Sequence, residues 1–251
     1  MITINCYGSG SSGNFYLIQN EDTNIVLECG VKRPIIISNI FKNNIKLTDI
    51  NACITSHSHS DHSLMIKLFA DYDIPIYCTQ ETKDKYLDIS ISKFISINIL
   101  DRINKIFKIN SIQVLPLKVN HGDTTCYGFV LHDKDDDVLF LTDFILMEYN
   151  LSKIKFTKIY IETNYLDSAM DYIIDSKDDS EKIIKYKRQI SVHCSLENAI
   201  RYLKSFDLSR CNKIVGIHLS KDLCNPTTVK QKIQGEFGIP TYCLNEKGEE
   251  K

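Results

Sequence analysis

The stretch "ITSHSHSDHS", residues 54–63, constrains this 251-residue chain more than any other. It places His57, His59, Asp61 and His62 within six positions, directly after the apolar run "NACIT". Crowding such groups beside a buried strand costs free energy, because charges away from water need partners. Divalent cations remove that cost by neutralising the carboxylate and using the imidazole lone pairs. The motif therefore predicts a metal site.

Further potential metal ligands follow at the ends of predicted strands. His121 follows "VLPLKVN", Asp143 closes "VLFLTD" and His218 closes "KIVGIH". Strand ends face the loops, where sites are commonly built, and mixed imidazole and carboxylate ligands suit Zn²⁺ or Mn²⁺. We expect these residues to join the first motif in one site. His132 leads into an acidic turn and is expected to lie outside it.

The remaining pattern predicts a layered α/β (α+β) fold in a single domain over residues 1–251. Short apolar runs bounded by turn signals predict strands, the segment from about 95 to 142 being richest in them. The strands read "ITINCY", "NFYLIQ", "NIVLEC", "NACITS", "SIQVLPLKV", "CYGFVLH", "VLFLTD", "KIYIET" and "NKIVGIH". Such β-rich blocks with outer helices predict an αββα sandwich with its active-site loops at one edge of the two sheets.

Helices are predicted over 31–43, 63–71, 195–206 and 226–236. Ser195 and Thr227 are the predicted N-caps of the last two, because short side-chain oxygens accept from the first free backbone N–H groups. The acidic run "DKDDD", residues 133–137, is predicted to form a solvated hairpin turn.

The motif HxHxDH, followed in order by a histidine, an aspartate and a histidine, resembles the metallo-β-lactamase superfamily over nearly the whole chain. This resemblance implies the αββα sandwich and two divalent metal ions, Zn²⁺ or Mn²⁺. It also implies two ligand sets and a bridging carboxylate: His57, His59 and His121 for one metal, Asp61, His62 and His218 for the other, and Asp143 between them.

One position departs from the family pattern. The family usually has an aspartate in a "DxG" motif near the end of the third strand, where it supports the metal loop. Here the strand reads "VLECG", with Glu28 at that place. The side chain is one methylene longer, so we expect a rearranged support and a less certain metal occupancy.

Two later segments narrow the chemistry. "IETNY" contains Glu162 at a strand end, and "SVHCSLENA" contains His193 before a helix. They resemble motifs of the superfamily's phosphodiesterases, including the transfer-RNA 3′-processing enzymes, in which a histidine oriented by a glutamate serves the scissile phosphate and the leaving group. A phosphodiester needs this help because its alkoxide leaving group gains from a proton. The predicted catalytic residues are Asp61, His193 and Glu162, acting with a hydroxide activated by the two metals.

The glycine- and serine-rich turn "GSGSSGN" bears on substrate binding. Glycines let backbone N–H groups approach a ligand, and serine hydroxyls add donors, although a plain hairpin is an equally simple interpretation. Together with "HLSKDLCNP" it resembles the YycJ-type branch of exonucleases. The predicted substrate-binding residues are Ser9, Ser11, Ser12, Asn14 and Ser220.

The charge balance favours a small substrate. The net charge is −2, and no flexible basic arm of the kind found in transfer-RNA processing enzymes is present. Proteins that grip long nucleic acids usually show a basic face. We therefore expect a phosphodiesterase for small cyclic nucleotides, similar to phage enzymes that degrade defence signals. A YycJ-like exonuclease on DNA or RNA is the alternative, and a metal-bound regulatory module without catalysis is the third interpretation.

Location and assembly are expectations of the same kind. Nine cysteines without a Cys-x-x-Cys pair, and no long apolar run, indicate a cytoplasmic protein with reduced thiols and no membrane partner. Abundant Ile, Lys and Asn fit an AT-rich genome, bacterial or phage. Phosphodiesterases of this superfamily commonly pair, so the resemblance also implies a homodimer.

Overall fold

The computed structural model describes residues 1–87, 96–102, 105–175 and 180–250. Its first sheet follows chain order, with antiparallel pairing among the first three strands and parallel pairing after them. The strands are β1 (Thr3–Gly8), β2 (Phe15–Gln19), β3 (Asn24–Cys29), β4 (Ala52–Ile54), β5 (Ile76–Cys78) and β6 (Ile97–Ile99).

The second sheet has the order β13-β12-β11-β10-β9-β8-β7, parallel from β13 to β10 and antiparallel from there to β7. Its strands are β7 (Phe107–Ile109), β8 (Ile112–His121), β9 (Thr124–His132), β10 (Asp137–Leu141), β11 (Lys158–Glu162), β12 (Lys213–Ile217) and β13 (Thr241–Cys243).

Helices connect the strands. They are α1 (Arg33–Lys42), α2 (Ser60–Ser63), α3 (Ile66–Ala70), α4 (Gln80–Tyr86), α5 (Asp167–Asp175), α6 (Glu181–Ile190), α7 (Leu196–Ser205) and α8 (Pro226–Phe237). Two short 3-10 turns lie at Leu47–Asp49 and Leu100–Arg102. Within the described ranges, no helix combines the length and the apolar character needed to cross a membrane.

The side chains alternate between two sides of each sheet, as the strand period requires. In β3, Ile25 and Leu27 face the second sheet, whereas Val26 faces α1 and α3. The space between the sheets is filled by residues such as Tyr16 and Phe140, whose rings meet edge to face at 4.9 Å. On the outer side of the second sheet, α7 and α8 cover a third apolar cluster. The predicted αββα sandwich is thus confirmed.

Most predicted elements are present with shifted ends. The predicted helix over 63–71 is instead two short helices, α2 and α3, with α2 already beginning at Ser60 inside the histidine motif. Ser195 caps α7 by accepting from the Asn198 N–H. The prediction of Thr227 as the N-cap of α8 was wrong. The N-cap is Asn225, whose side chain accepts from the Thr227 and Thr228 N–H groups. Pro226 occupies the first helical position, which moves the start of the helix to an earlier residue than predicted.

The acidic hairpin turn is present but is not fully solvated. Asp133 and Asp136 are buried, contrary to the prediction. The Asp133 carboxylate accepts from the turn's own N–H groups, and Asp136 accepts from Ile2 N–H, Thr157 Oγ1 and Lys158 Nζ. The turn therefore ties β10 to β1 and β11. Sequence pattern alone missed this because the partners lie far along the chain.

The topology brings several strand ends to one edge of the sandwich. β8, β10, β11 and β12 all run in the same direction in their sheet, and β4 ends at the matching edge of the other sheet. Loops following parallel strands meet at such an edge, where α/β folds commonly bind ligands. Residues 95, 103 and 104 of the predicted strand-rich segment lie outside the described residues.

Candidate metal centre and active site

The histidine motif leaves β4 and turns at once into α2. His59 occupies the N-cap position of α2, so Asp61 and His62 lie in its first turn. Ser63 Oγ donates to the His57 carbonyl at 2.7 Å and closes the turn. Gly30 packs directly beneath it, where a Cβ atom would lie only 1.7 Å from the Asp61 carbonyl oxygen. The turn that holds the histidine motif therefore depends on the hydrogen bond within the motif and on Gly30, which follows β3 and leaves room for the Asp61 carbonyl.

The first predicted ligand set converges. His57 Nε2 lies 2.9 Å from His59 Nδ1, and His121 Nε2 lies 3.3 Å from the same atom. His121 Nδ1 donates to the Val192 carbonyl at 2.8 Å, which leaves its Nε2 lone pair facing the site. Burial lowers the pKa of all three imidazoles, so they are neutral and able to ligate at neutral pH.

The second predicted set lies beside the first. His62 Nε2 and His218 Nε2 lie 3.5 and 3.8 Å from Asp61 Oδ2. His218 Nε2 is buried and has no hydrogen-bond partner among the residues that the structure describes. An orphaned imidazole nitrogen facing a carboxylate is the arrangement that a divalent cation would complete. The donor atoms of this set, like those of the first together with Asp143, are close enough to share one ion.

Asp143 lies between the two sets. Its Oδ2 is 3.4 Å from His62 Nε2 and 3.7 Å from His121 Nε2, and its Oδ1 is 3.4 Å from His218 Nδ1. One carboxylate thus reaches both ligand sets, as the bridging assignment requires. The structure brings all seven predicted ligands together, and the residues present fit a pair of divalent cations.

The carboxylates favour positive charge at this place. Although burial alone would lower the pKa of His218, Asp143 and Asp61 raise it to about 10. Burial opposes a proton on His62 in the same way, yet the surrounding carboxylates hold its pKa well above the usual value. The protons on His62 and His218 thus supply positive charge where the cations would bind, and metal binding would release those protons.

Glu162 orients His193. Glu162 Oε1 accepts from His193 Nδ1 at 2.7 Å and lies 3.0 Å from His218 Nδ1. Glu162 Oε2 accepts from the Phe144 and Cys194 N–H groups, both at 3.0 Å. Because Nδ1 is engaged, Nε2 is the nitrogen of His193 left for other partners. Glu162 therefore links His193 to the predicted ligand His218.

Several site residues have strained backbones. Among the non-glycine residues with positive φ are Glu28 at 62°, Asp143 at 48° and His218 at 54°. Such conformations persist where surrounding contacts enforce them. Ser9 Oγ accepts from the His218 N–H, and the Asn164 amide donates to the His218 carbonyl. For Asp143 and His218, the positive φ falls where these predicted ligands turn away from the ends of β10 and β12.

Glu28 supports the metal loop from below. Its two carboxylate oxygens lie 3.2 and 3.3 Å from the Ser56 nitrogen and accept that N–H. Its Oε2 lies 3.4 Å from His62 Nδ1. The longer side chain therefore reaches both the start of the histidine motif and one ligand.

The predicted substrate-binding residues fall into two groups. Ser9 and Asn14 are buried and hold protein groups: Ser9 contacts His218, and the Asn14 amide lies 3.0 Å from His62 Nε2. Ser11 and Ser220 line the open cavity above the metal centre, whereas the exposed Ser12 does not. Because Ser11 and Ser220 line the cavity, a direct contact of these two residues with the substrate stays a prediction.

This cavity has a volume of about 610 Å³ and opens over His59, Asp61, His193 and His218. Lys185, Arg188 and Gln189 of α6 form part of its wall. Sequence reasoning missed α6 and its cations, although "EKIIKYKRQI" has apolar residues at helical spacing.

Comparisons with known proteins agree with this geometry. A family model described as "Beta-lactamase superfamily domain" matches residues 23–218. The chain is 25% identical to the exodeoxyribonuclease WalJ of Streptococcus pneumoniae, with 92% of this chain and 88% of that protein covered.

Solved structures show the same fold. The metallo-beta-lactamase fold protein YhfI of Bacillus subtilis superposes with a TM-score of 0.74 at 15% identity, over 100% of this chain and 99% of that one. The short form of human tRNase Z superposes with a TM-score of 0.61 at 14% identity, covering 87% and 93%.

Proposed function

Since this chain belongs to the beta-lactamase superfamily, we propose that it is a metal-dependent phosphodiesterase that removes nucleotides from the end of a nucleic-acid strand. The observation behind the phosphodiesterase assignment is the Glu162–His193 pair, hydrogen-bonded at 2.7 Å beside the metal centre. A hydrolase for lactams or thioesters has no need of this pair, because its leaving group does not require the same proton.

Divalent cations held by the two ligand sets would polarise a phosphoryl oxygen and activate water. The chain's own residues arrange the rest. Asp143 and Asp61 supply the negative charge that holds cations, and the buried loop around His57 keeps the ligands in place before any substrate arrives. Such preorganisation lowers the reorganisation that the reaction needs.

His193 is placed to serve the leaving oxygen. It lines the cavity, and Glu162 fixes its Nδ1 as the donor to the carboxylate. In the imidazolium form, Nε2–H can then donate its proton to the sugar oxygen that leaves as the P–O bond breaks, while Nδ1–H stays bonded to Glu162. Positioned general acids of this kind contribute about 10²–10⁴-fold to rate.

The nucleic-acid substrate is supported by similarity to WalJ along 92% of the chain and by cations on the cavity wall. It reverses the preference drawn from net charge, because Lys185 and Arg188 place two positive charges on the cavity wall even though the charges of the whole chain nearly balance. A cyclic mononucleotide remains the second candidate. A cavity of about 610 Å³ is of the size that small ligands occupy.

One experiment separates the two candidates. The protein would be incubated with Mn²⁺ or Zn²⁺ and a mixture of 3′,5′-cyclic mononucleotides with short single- and double-stranded DNA and RNA, followed by liquid chromatography of the products. Shortened strands with mononucleotide release and intact cyclic nucleotides are the expected result, abolished by a chelator. Linear mononucleotides formed only from the cyclic pool would overturn the proposal in favour of the second candidate.

A further inference from the structure

Helix α6 lies against the active site and is fixed to it at its carboxyl end. Gln189 Nε2 donates to Asn164 Oδ1 at 2.7 Å, and Asn164 in turn donates to the His218 carbonyl. The Ile190 carbonyl accepts from Tyr165 Oη at 3.2 Å. This helix is therefore held at a set position relative to the metal ligand His218.

The two faces of α6 differ in character. Ile183 and Tyr186 are buried in a small apolar cluster with Tyr165 and Leu223. Lys182, Lys185 and Arg188 recur every three residues on another face, which places them in one row along the helix. Because the apolar face packs against the protein, the three cationic side chains of this row are exposed.

Two of these cations face the cavity without a partner. The cations that line the cavity are Lys185, Arg188 and Lys221. Lys221 forms an ion pair with Glu246. Lys185 and Arg188 are exposed and form no ion pair with any residue that the structure describes. Lys185 and Arg188 therefore offer two unpaired positive charges that an anion would neutralise, in a cavity wall that also contains Asp123 and Asp222.

We propose that Lys185 and Arg188 bind a second phosphate of the substrate, the one next to the phosphate at the metal centre. This inference rests on the proposed function. Metals held by the two ligand sets would bind the scissile phosphate, so Lys185 and Arg188 would serve only a substrate with another phosphate. A cyclic mononucleotide has none, whereas a strand has one at every nucleotide. Arginine binds phosphate oxygens through two parallel N–H groups, and lysine adds a point charge.

The test uses the double variant Lys185→Gln/Arg188→Gln and two substrates. One is a short single-stranded DNA, and the other is bis(p-nitrophenyl) phosphate, which has a single phosphate. The KM for DNA is expected to rise about tenfold, as loss of a charge-assisted hydrogen bond implies, and the aryl diester is expected to be hydrolysed as by the wild type. The salt dependence of DNA binding should also fall, by about 0.7 in log–log slope for one lost phosphate contact.

Lys187→Gln is the matched control, because Lys187 is an exposed cation on the same helix but does not line the cavity. It should behave as wild type with both substrates. The inference is overturned if the double variant matches this control on DNA, or if it loses DNA and aryl diester hydrolysis equally. A wild-type protein that cleaves no strand would overturn the proposed function and this inference together.

Discussion

At the scale of single residues, the site depends on how each ligand is oriented by a neighbour. Glu28 contacts Ser56 N–H and lies 3.4 Å from His62, Val192 fixes His121, and Glu162 fixes His193. The clustering of the four predicted ligands in HxHxDH could be expected, because the motif places them together in sequence. Their orienting partners were only partly predictable, since Val192 acts through its carbonyl, which any residue supplies.

The carboxylate charge of Glu28 is expected to maintain metal affinity. In Glu28→Gln the shape remains, but an amide replaces the anion beside His62 and the Ser56 N–H. Metal affinity should fall about 10- to 100-fold, as for other residues that orient ligands. Isothermal titration with Zn²⁺ measures this. Glu28→Asp, which keeps the charge, should retain most of the affinity, and equal affinity in the Gln variant and wild type would refute the assignment.

The loss of rate on removing His193 is expected to depend on how much the leaving group needs a proton. His193→Ala should slow hydrolysis of DNA by about 10²–10⁴-fold, because the departing deoxyribose oxygen needs a proton. It should slow bis(p-nitrophenyl) phosphate much less, since nitrophenolate leaves without one. The measurement is kcat for both substrates together with metal content after dialysis. Equal losses of metal and of both activities would instead make His193 a metal ligand.

At the scale of elements, the long central strands and the helices α7 and α8 were predictable from their periodicity. The three-residue strands β5, β6, β7 and β13 were missed, because three residues are too few to show a period. α6 was missed as well. Its position beside the cavity follows from contacts of Gln189 with Asn164, and no local pattern specifies them.

Two glycines give opposite expectations for the same substitution. In Gly30→Ala the new Cβ would overlap the Asp61 carbonyl at 1.7 Å, so the metal loop must move. We expect a loss of about 1–3 kcal/mol or more in the free energy of unfolding, together with weakened metal binding. Gly235 lies exposed in α8 with nothing near a built Cβ, so Gly235→Ala should stabilise by about 0.5–1 kcal/mol. Urea unfolding distinguishes them, and a stable, metal-binding Gly30→Ala variant would contradict the packing argument.

At the scale of the whole molecule, the packing of the two sheets brings the ends of five strands to one edge of the sandwich. These strands are β4, β8, β10, β11 and β12. The αββα sandwich was predictable because the family motif and the element order agree. Net charge is a poor guide to the substrate, since it averages over a surface on which Lys185 and Arg188 lie beside the cavity. A homodimer remains a prediction of the family resemblance, to be tested by sedimentation.

The most direct test of the two-metal phosphodiesterase is a titration of metal-free protein with Zn²⁺ or Mn²⁺ while bis(p-nitrophenyl) phosphate hydrolysis is followed. Activity should rise until two equivalents per chain are bound, and Asp61→Ala should remain folded by circular dichroism yet inactive, because Asp61 belongs to the second ligand set. Full activity at one equivalent, or an active Asp61→Ala variant, would contradict the two-metal centre. No hydrolysis at any metal content would favour a regulatory module that binds metal without catalysis.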